Sequence, residues 1–320
     1  MGVPVLGGGS LLTQGASFFV NPRLGGDGNS GIRIDRPLDT LSKALSMATA
    51  DQNDVVYMLA SDNSASGTTD YQSDTLEWDK DGVHLVGINS GNMVGMRSRI
   101  AQLSTATEVA PLLTWSASNC LCSNIHLFHG VDDADSKGCL NVTGSRNRFY
   151  RCHIAGIGHA TMDTANNYSL QISGGEENLF EDCVIGLDTI ARGTAANSEL
   201  RLVSGATRNI FRNCLFTTYA EAAGHQFVLV PVNGIDRYTL FDNCLFINMP
   251  TGVASGTSMT EVFDVTGGGS PDGLLLLKDC AFVGAGDWEA ATESGKVFVY
   301  GAASESNAIT SGQAMAVDAS

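Results

Sequence analysis

The sequence predicts an all-β chain, folded as a parallel β-helix of about seven coils with an N-terminal capping helix. The first observation is a short apolar phrase around Cys that recurs with a step of about 30 residues. The second is that each copy follows another short alternating strand closed by a Gly-containing turn. The third is that no stretch within the repeats is long and periodic enough for a helix. The copies of the phrase are Asn147–Ile154, Asn178–Ile185, Asn209–Phe216, Leu240–Phe246 and Leu276–Phe282.

A one-residue corner inside the phrase explains how three short strands fit into one coil. The corner positions carry Asp or Asn, which tolerate the left-handed backbone region better than other non-glycine residues. The bend resets the alternation, so the Phe before the corner and the Cys after it both face inward. The corner residues are Asp182, Asn213, Asn243 and Asp279, with Arg151 as the irregular copy.

These inward stacks and Asn corners resemble the right-handed parallel β-helix of the pectate-lyase-like superfamily. The resemblance covers about residues 18–300 and implies a right-handed, single-stranded helix of coils. It implies little about activity, because this fold carries lyases, hydrolases, epimerases and non-enzymatic viral proteins.

The chain divides into four predicted segments. Residues 1–17 have no periodicity and suit an extended arm, although a flexible leader fits equally well. Residues 18–52 resemble the opening of such helices, with a first strand, a Gly-rich loop and a short capping helix. Residues 53–300 form the β-helix, and residues 301–320 are predicted to be an extended tail. The helix would bury one apolar face, made of Leu38, Leu41, Ala44, Leu45 and Ala48.

Composition excludes several kinds of partner. The formal net charge of −16 argues against nucleic acid and anionic membranes. There is no run of about 20 apolar residues, so a membrane span is not expected. The N-terminus lacks a basic start followed by an apolar core, and a secretory signal is not expected. Five of the eight cysteines recur once per coil, which favours buried free thiols over disulfides. The sequence predicts no metal site and no cofactor.

The outward positions of one strand series form a column that carries little catalytic potential. A lyase of this fold requires an acidic cluster with a nearby base, and a hydrolase requires carboxylates a few ångströms apart. The column has one Asp and one Arg, and Glu199 beside Arg201 is interpreted as a structural ion pair. We therefore predict no catalytic residue; if the protein is an enzyme, His159, Asp188 and Glu221 are the loop residues that could form a site. The column is Thr114, Asn141, Gln171, Arg201, Leu229, Asp264 and Val299.

An outward apolar patch is the better-supported surface feature. It consists of Phe227, Leu229, Pro231 and Val262, with Val297 extending it. A contiguous exposed apolar patch marks a protein contact, although a loop of the same chain could also cover it. We predict a subunit contact in a homotrimer.

The favoured function is a non-enzymatic structural protein of a virus particle, most simply a trimeric capsid decoration or fibre-base protein of a bacteriophage. The phrase Lys80–Gly87 resembles phage-encoded β-helix proteins, and the two termini would attach to capsid or tail proteins. One alternative is a surface-polysaccharide depolymerase, a lyase or glycosidase of the tailspike type. The other is a non-catalytic β-helix that binds a host surface glycan.

Overall fold

The chain winds through three parallel sheets, one short strand per sheet in every coil. The computed structural model describes residues 15–60, 68–249, 256–265, 273–289, 296–300 and 314–316. Consecutive strands of one sheet are in register and come from consecutive coils. The predicted right-handed parallel β-helix is confirmed, with seven coils that each pass through all three sheets.

Each sheet is a stack of equivalent strands, one above the next along the rod. Sheet A comprises, in stacking order, β1 (Ser17–Val20), β2 (Val55–Leu59), β5 (His84–Ile88), β8 (Leu121–Ser123), β11 (Arg148–Tyr150), β14 (Leu179–Glu181), β17 (Asn209–Arg212), β20 (Tyr238–Asp242), β24 (Leu274–Lys278), β27 (Val297–Tyr300) and the antiparallel β28 (Ala314–Ala316). Sheet B comprises β3 (Thr69–Gln72), β6 (Arg99–Gln102), β9 (His126–Phe128), β12 (His153–Ala155), β15 (Val184–Arg192), β18 (Leu215–Ala220), β21 (Leu245–Asn248) and β25 (Ala281–Val283). Sheet C comprises β4 (Leu76–Trp78), β7 (Leu113–Trp115), β10 (Leu140–Val142), β13 (Tyr168–Ser173), β16 (Ser198–Val203), β19 (Gln226–Leu229) and β23 (Phe263–Asp264). A separate pair joins β22 (Met259–Glu261) to β26 (Ala285–Asp287).

The interior is built from columns of like side chains. Phe149, Phe180, Phe211 and Phe241 stack face to face, with ring centroids 4.6, 4.9 and 5.1 Å apart. Beside them the recurring cysteines are free thiols; the Sγ of Cys183, for example, donates to the Phe149 carbonyl at 3.4 Å. These two columns confirm the inward stacks predicted from the repeat.

The corner residues adopt the backbone conformation that their type favours. Asp182, Asn213, Asn243 and Asp279 have φ between 52° and 56°. The Asn213 amide donates to Asp182 at 3.2 Å, and the Asn243 amide donates to Asn213 at 2.9 Å. Arg151, the irregular copy, takes the same conformation with a φ of 51°. The geometry of the coil therefore imposes the corner even where the side chain does not favour it.

A second amide column lies buried at the turn from sheet C to sheet A. The Oδ1 of Asn178 accepts from the backbone N–H of Asn147, and the Oδ1 of Asn209 accepts from that of Asn178, at 2.9 and 3.0 Å. Their amide groups donate to turn carbonyls of the preceding coil. Each buried Asn therefore satisfies backbone groups that the turn leaves unpaired.

The capping helix α1 spans Leu41–Met47 and packs against β1, β2 and β4. Thr40 is its N-cap, with Oγ1 accepting from the Lys43 N–H at 3.2 Å. The buried Asp70 carboxylate accepts from the Leu41 N–H at 2.9 Å. The predicted helix is confirmed, and all five residues of its predicted face are buried. Leu38 precedes the N-cap and Ala48 is the C-cap, so Leu41, Ala44 and Leu45 are the residues of that face that lie in the helix.

The boundaries of the predicted terminal arms remain predictions, since both segments lie almost wholly outside the described residues. One described part of the C-terminal segment is β28, which pairs with β27. Across the described ranges, no helix is long and apolar enough to cross a membrane.

Candidate functional site

The outer face of sheet C carries a continuous row of polar side chains, one per coil. Strand register places them directly above one another, at the ~4.8 Å spacing of neighbouring strands. The apolar Leu229 and the acidic Asp264 continue the column. We call the polar part of it the polar strip, defined as Glu77, Thr114, Asn141, Gln171 and Arg201.

The sequence predicted most of this column correctly. The order from Thr114 to Asp264 is confirmed by the strand pairs. Val299 does not belong to the column, because β27 joins sheet A, where Val299 pairs with Leu277. Glu77 was missed, although it occupies the same position in β4 as Thr114 does in β7.

Hydrogen bonds align the side chains of the polar strip. The Gln171 amide donates to the Asn141 Oδ1 at 3.1 Å, and Thr114 lies beside Glu77 on the neighbouring strand. The Arg201 guanidinium donates from Nη1 to the Asn166 carbonyl at 3.1 Å and lies 5.8 Å from the Tyr168 ring centre. Burial lowers the pKa of Arg201, yet it remains a cation at neutral pH. The strip thus presents donors and acceptors along the outer face of sheet C.

A row of exposed or half-exposed hydroxyls runs beside the strip. Residues two positions further along a strand project from the same face. These positions carry Ser116, Thr143 and Ser173, preceded by Asp79 at the foot of the row. The face therefore offers two parallel lines of hydrogen-bonding groups.

A cleft of about 320 Å³ opens at the foot of the strip, between α1 and β4. Leu45 and Leu76 form its apolar floor, and most of each side chain is covered by the core. Its walls are polar, and Lys80 lies at the rim with Nζ donating to the Ala48 carbonyl at 2.6 Å. Burial, followed by the charges of Asp79 and Asp74, raises the pKa of Glu77, while the neighbouring Thr114 opposes that rise. The lining residues are Ser42, Leu45, Ser46, Thr75, Leu76, Glu77, Asp79 and Lys80.

A buried ionic network borders the face on its sheet B side. Glu199 and Arg192 are fully buried, and Arg192 Nε donates to Glu199 Oε1 at 3.2 Å. Glu199 also accepts from Ser169 at 2.5 Å and Thr218 at 2.9 Å, and His225 Nε2 lies 3.7 Å away. Burial acts to raise the pKa of Glu199, but the Arg192 charge and the hydrogen bonds outweigh it, and the pKa falls to about 2.

This network corrects the predicted ion pair between Glu199 and Arg201. Arg192 reaches Glu199 because β15 continues past a register shift as far as Arg192, which lies beside Glu199 of β16. Its guanidinium also donates to the carbonyls of Ile157 and Ile190, at 3.0 and 2.8 Å. The guanidinium therefore fastens the extension of β15 to the rod.

The three loop residues that could form a catalytic site, His159, Asp188 and Glu221, lie in different surroundings. His159 caps a 3-10 turn (Ala160–Met162), and its Nδ1 lies 3.7 Å from Asp132. Asp188 is exposed on β15. Glu221 is exposed, and its Oε1 accepts from the Tyr219 hydroxyl at 3.1 Å. Whether they serve catalysis stays a prediction.

The predicted apolar patch is smaller than the sequence indicated. Phe227 and Val262 are fully buried within the hydrophobic core of the same chain, and so is Val297. The Phe227 ring lies 5.5 Å from that of Phe246, edge to face. Leu229 and Pro231 are half-buried and remain on the surface. A subunit contact at these two residues remains a prediction.

Within the described ranges, no group of three or more His, Cys, Asp or Glu side chains is arranged to hold a metal ion. His126 and His153 do stack at 4.6 Å, but His153 Nε2 lies 3.2 Å from the Gly186 carbonyl. Burial, the neighbouring His153 and Arg99 lower the pKa of His126 to about 2. This pair is a neutral packing element of sheet B.

The coil geometry is shared with several solved structures. A rhamnogalacturonan lyase superposes with a TM-score of 0.58 at 15% identity, covering 84% of this chain and 68% of that one. The pectate lyase Pel9A superposes with a TM-score of 0.59 at 12% identity, covering 84% of this chain and 63% of that one. The chain therefore has the pectate-lyase-like β-helix fold.

A pectin methylesterase from Aspergillus niger is similar as well, with a TM-score of 0.55 at 14% identity, covering 90% of this chain and 84% of that one. At such identities the likeness concerns the fold alone. The chain matches no protein-family model and no curated protein sequence.

Proposed function

We propose that this protein binds an extended polysaccharide along the outer face of sheet C without cleaving it. The observation that carries the proposal is the polar strip, which repeats a hydrogen-bonding side chain at every coil over about 19 Å. An extended polymer of hydroxyl-bearing units lying along the strip meets an equivalent group at each step. The neighbouring hydroxyl row doubles the available partners.

The placement of the carboxylates supports binding rather than cleavage. Glycoside hydrolysis uses two carboxyl groups on opposite sides of the scissile bond. Glu77 and Asp79 project side by side from β4 and its continuation, on the same face. Asp264 lies at the other end of the column, beyond Leu229.

Calorimetric titration of the protein with a panel of neutral, basic and acidic polysaccharides tests the binding. We expect Gln171→Ala and Arg201→Ala each to weaken binding about three- to tenfold, since each removes one or two hydrogen bonds. Gln52→Ala and Arg212→Ala change the same residue types outside the strip and should leave binding unchanged. Equal affinity for the two strip variants and the wild type contradicts the proposal.

Release of reducing ends from the bound polysaccharide separates binding from hydrolysis. We expect no release above the level without protein. Release that disappears in Glu77→Gln, with binding retained, shows a hydrolase instead. Ultraviolet absorbance of unsaturated products serves the same purpose for a lyase.

We also propose, as the biological setting, that the rod is a non-enzymatic structural part of a bacteriophage particle, either a capsid decoration or a fibre-base protein. It is supported by the resemblance of Lys80–Gly87 to phage-encoded β-helix proteins. Stacked rings, thiols and amides also tie each described coil to the next. In this proposal the chain forms a homotrimer through Leu229 and Pro231 and attaches through residues 1–17 and 301–320.

Two measurements test this setting. DNA flanking the gene should encode capsid, portal or tail proteins, whereas sugar transporters and glycan-degrading enzymes as neighbours contradict it. Light scattering on the purified chain should give three times the chain mass. A monomer at high concentration rules out the trimer.

A further inference from the structure

An open cleft lies at the foot of the polar strip. Its volume of about 320 Å³ lies at the lower end of the range for small-molecule sites. Leu45 and Leu76 supply an apolar floor, and the polar groups stand around it. Glu77 belongs both to the cleft and to the strip, so a polymer on the strip leads directly into the cleft.

The polar groups of the cleft are mainly acceptors, because their hydrogens are already used. The Ser46 hydroxyl donates to the Lys43 carbonyl at 2.7 Å, and the Thr75 hydroxyl donates to the Pro111 carbonyl at 2.7 Å. Both oxygens keep lone pairs for a ligand. Glu77 and Asp79 add two exposed carboxylates. The cleft therefore suits a ligand that is rich in donors.

The charge of the cleft is negative and only partly balanced. Lys80 is the one cation in its lining, and its ammonium is directed to the end of α1, where it donates to the Ser46 and Ala48 carbonyls at 3.3 and 2.6 Å. Within the described ranges neither Glu77 nor Asp79 forms an ion pair, and Asp74 adds a further negative charge nearby. A cation in the cleft would gain from both carboxylates.

We propose that this cleft binds an ammonium-bearing sugar, the terminal unit of an amino-sugar polymer whose following units are N-acetylated, carry no charge and lie on the polar strip. The proposal rests on the function proposed for the strip and names the class of its ligand. The ammonium group donates to Glu77 and Asp79, and the sugar ring covers the Leu45 and Leu76 floor. A uronic acid unit would place a third carboxylate beside these two and is excluded from the cleft by repulsion.

Calorimetry on the full chain tests the ligand class with three N-acetylglucosamine tetramers that differ only in the terminal unit. The glucosamine tetramer ends in glucosamine, its acetylated counterpart ends in N-acetylglucosamine, and the uronate tetramer ends in a uronic acid. We expect the glucosamine tetramer to bind at least about tenfold more tightly than its acetylated counterpart, since it alone makes charge-assisted hydrogen bonds. Glu77→Gln and Asp79→Asn, which keep shape and remove charge, should each reduce this preference about fivefold. Asp135→Asn, an exposed acid elsewhere, should leave the preference unchanged. Added salt should also reduce it.

The inference is overturned if the glucosamine tetramer binds no more tightly than the acetylated one, or if the preference survives both cleft substitutions. If the polar strip does not bind the polymer, the result is different. In that case Gln171→Ala and Arg201→Ala leave all affinities unchanged, while Glu77→Gln still lowers the affinity for glucosamine. Thermal unfolding of each variant shows that a lost affinity does not come from a lost fold.

Discussion

Two buried carboxylates at different places on the rod show how partners, rather than burial alone, set a charge. Asp70 lies under the capping helix, and Glu199 lies on the outer edge of sheet C. Burial raises the pKa of Asp70 to about 6, and the Leu41 N–H and Gln72 only partly oppose it. Glu199 is buried more completely, yet its pKa falls to about 2 because Arg192 and several hydrogen bonds stabilise the carboxylate. A guanidinium beside the group makes the difference.

Removing the guanidinium should cause the largest loss of stability. Arg192→Met leaves the Glu199 carboxylate buried without its charged partner and also frees several backbone carbonyls. We expect a loss of about 3–5 kcal/mol in the free energy of unfolding at pH 7. Urea denaturation measures it.

Arg212→Met is the matched control for that loss. Arg212 pairs with Asp242 at 3.1 Å on the surface of the rod, with 41% of its side chain exposed. An exposed ion pair contributes at most about 1 kcal/mol. If both variants lose the same amount, the buried pair is not a special stabilising element.

The pH dependence of stability sharpens the comparison, because the two groups act in opposite directions. The folded-state pKa of Asp70 is about 6 against 3.8 for the free group, so folding is favoured as pH falls from about 6 to about 4. A difference of about 2 pKa units corresponds to a gain of about 3 kcal/mol. Glu199 acts oppositely, and its contribution is lost as pH falls from about 4.5 to about 2.

Asp70→Asn separates the two contributions. Asn still accepts from the Leu41 N–H, but it cannot ionise, so the rise in stability between pH 6 and pH 4 should disappear. The fall below pH 4.5 should remain. Urea titrations from pH 3 to pH 7 test both expectations, and an unchanged slope above pH 4 contradicts the assignment to Asp70.

The smallest expected effect concerns the cap above Asp70. Thr40→Ala removes the side-chain acceptor for Lys43 N–H and the hydroxyl that donates to Asp27 at 2.8 Å. We expect a loss of about 1 kcal/mol, seen as faster amide exchange in α1. Ser46→Ala removes a hydroxyl that donates to the Lys43 carbonyl near the end of the same helix, but no acceptor for a helix N–H, and should change exchange little. Equal exchange in both variants shows that Asp70 alone holds the start of the helix.

Much of the fold followed from the repeat. The spacing of the Cys and Phe residues was enough to place Phe180, Phe211 and Phe241 in one column, because an in-register parallel coil stacks like residues. The same repeat gave the column from Thr114 to Asp264. The assignment of Val299 to this column was wrong, because the last strand lies beyond the repeats and nothing in its sequence indicates which sheet it joins.

The candidate site was less accessible to sequence reasoning. Glu77 could have been found, since Leu76, Glu77 and Trp78 match Leu113, Thr114 and Trp115 position by position. The cleft beside it could not, because its walls come from α1 and β4, which are far apart in the chain and unrelated in pattern.

The sequence by itself determined the coil: its period, its inward columns and its corners, all of which depend on local alternation and on backbone preference at single positions. Only the tertiary structure decided which side chains lie on the surface around the edges of the sheets. Phe227 and Val262 are buried, and Arg192 rather than Arg201 pairs with Glu199. The physical reason is that these residues lie near strand ends or in irregular extensions, such as the part of β15 beyond its register shift, where the two-residue alternation no longer determines which way a side chain faces.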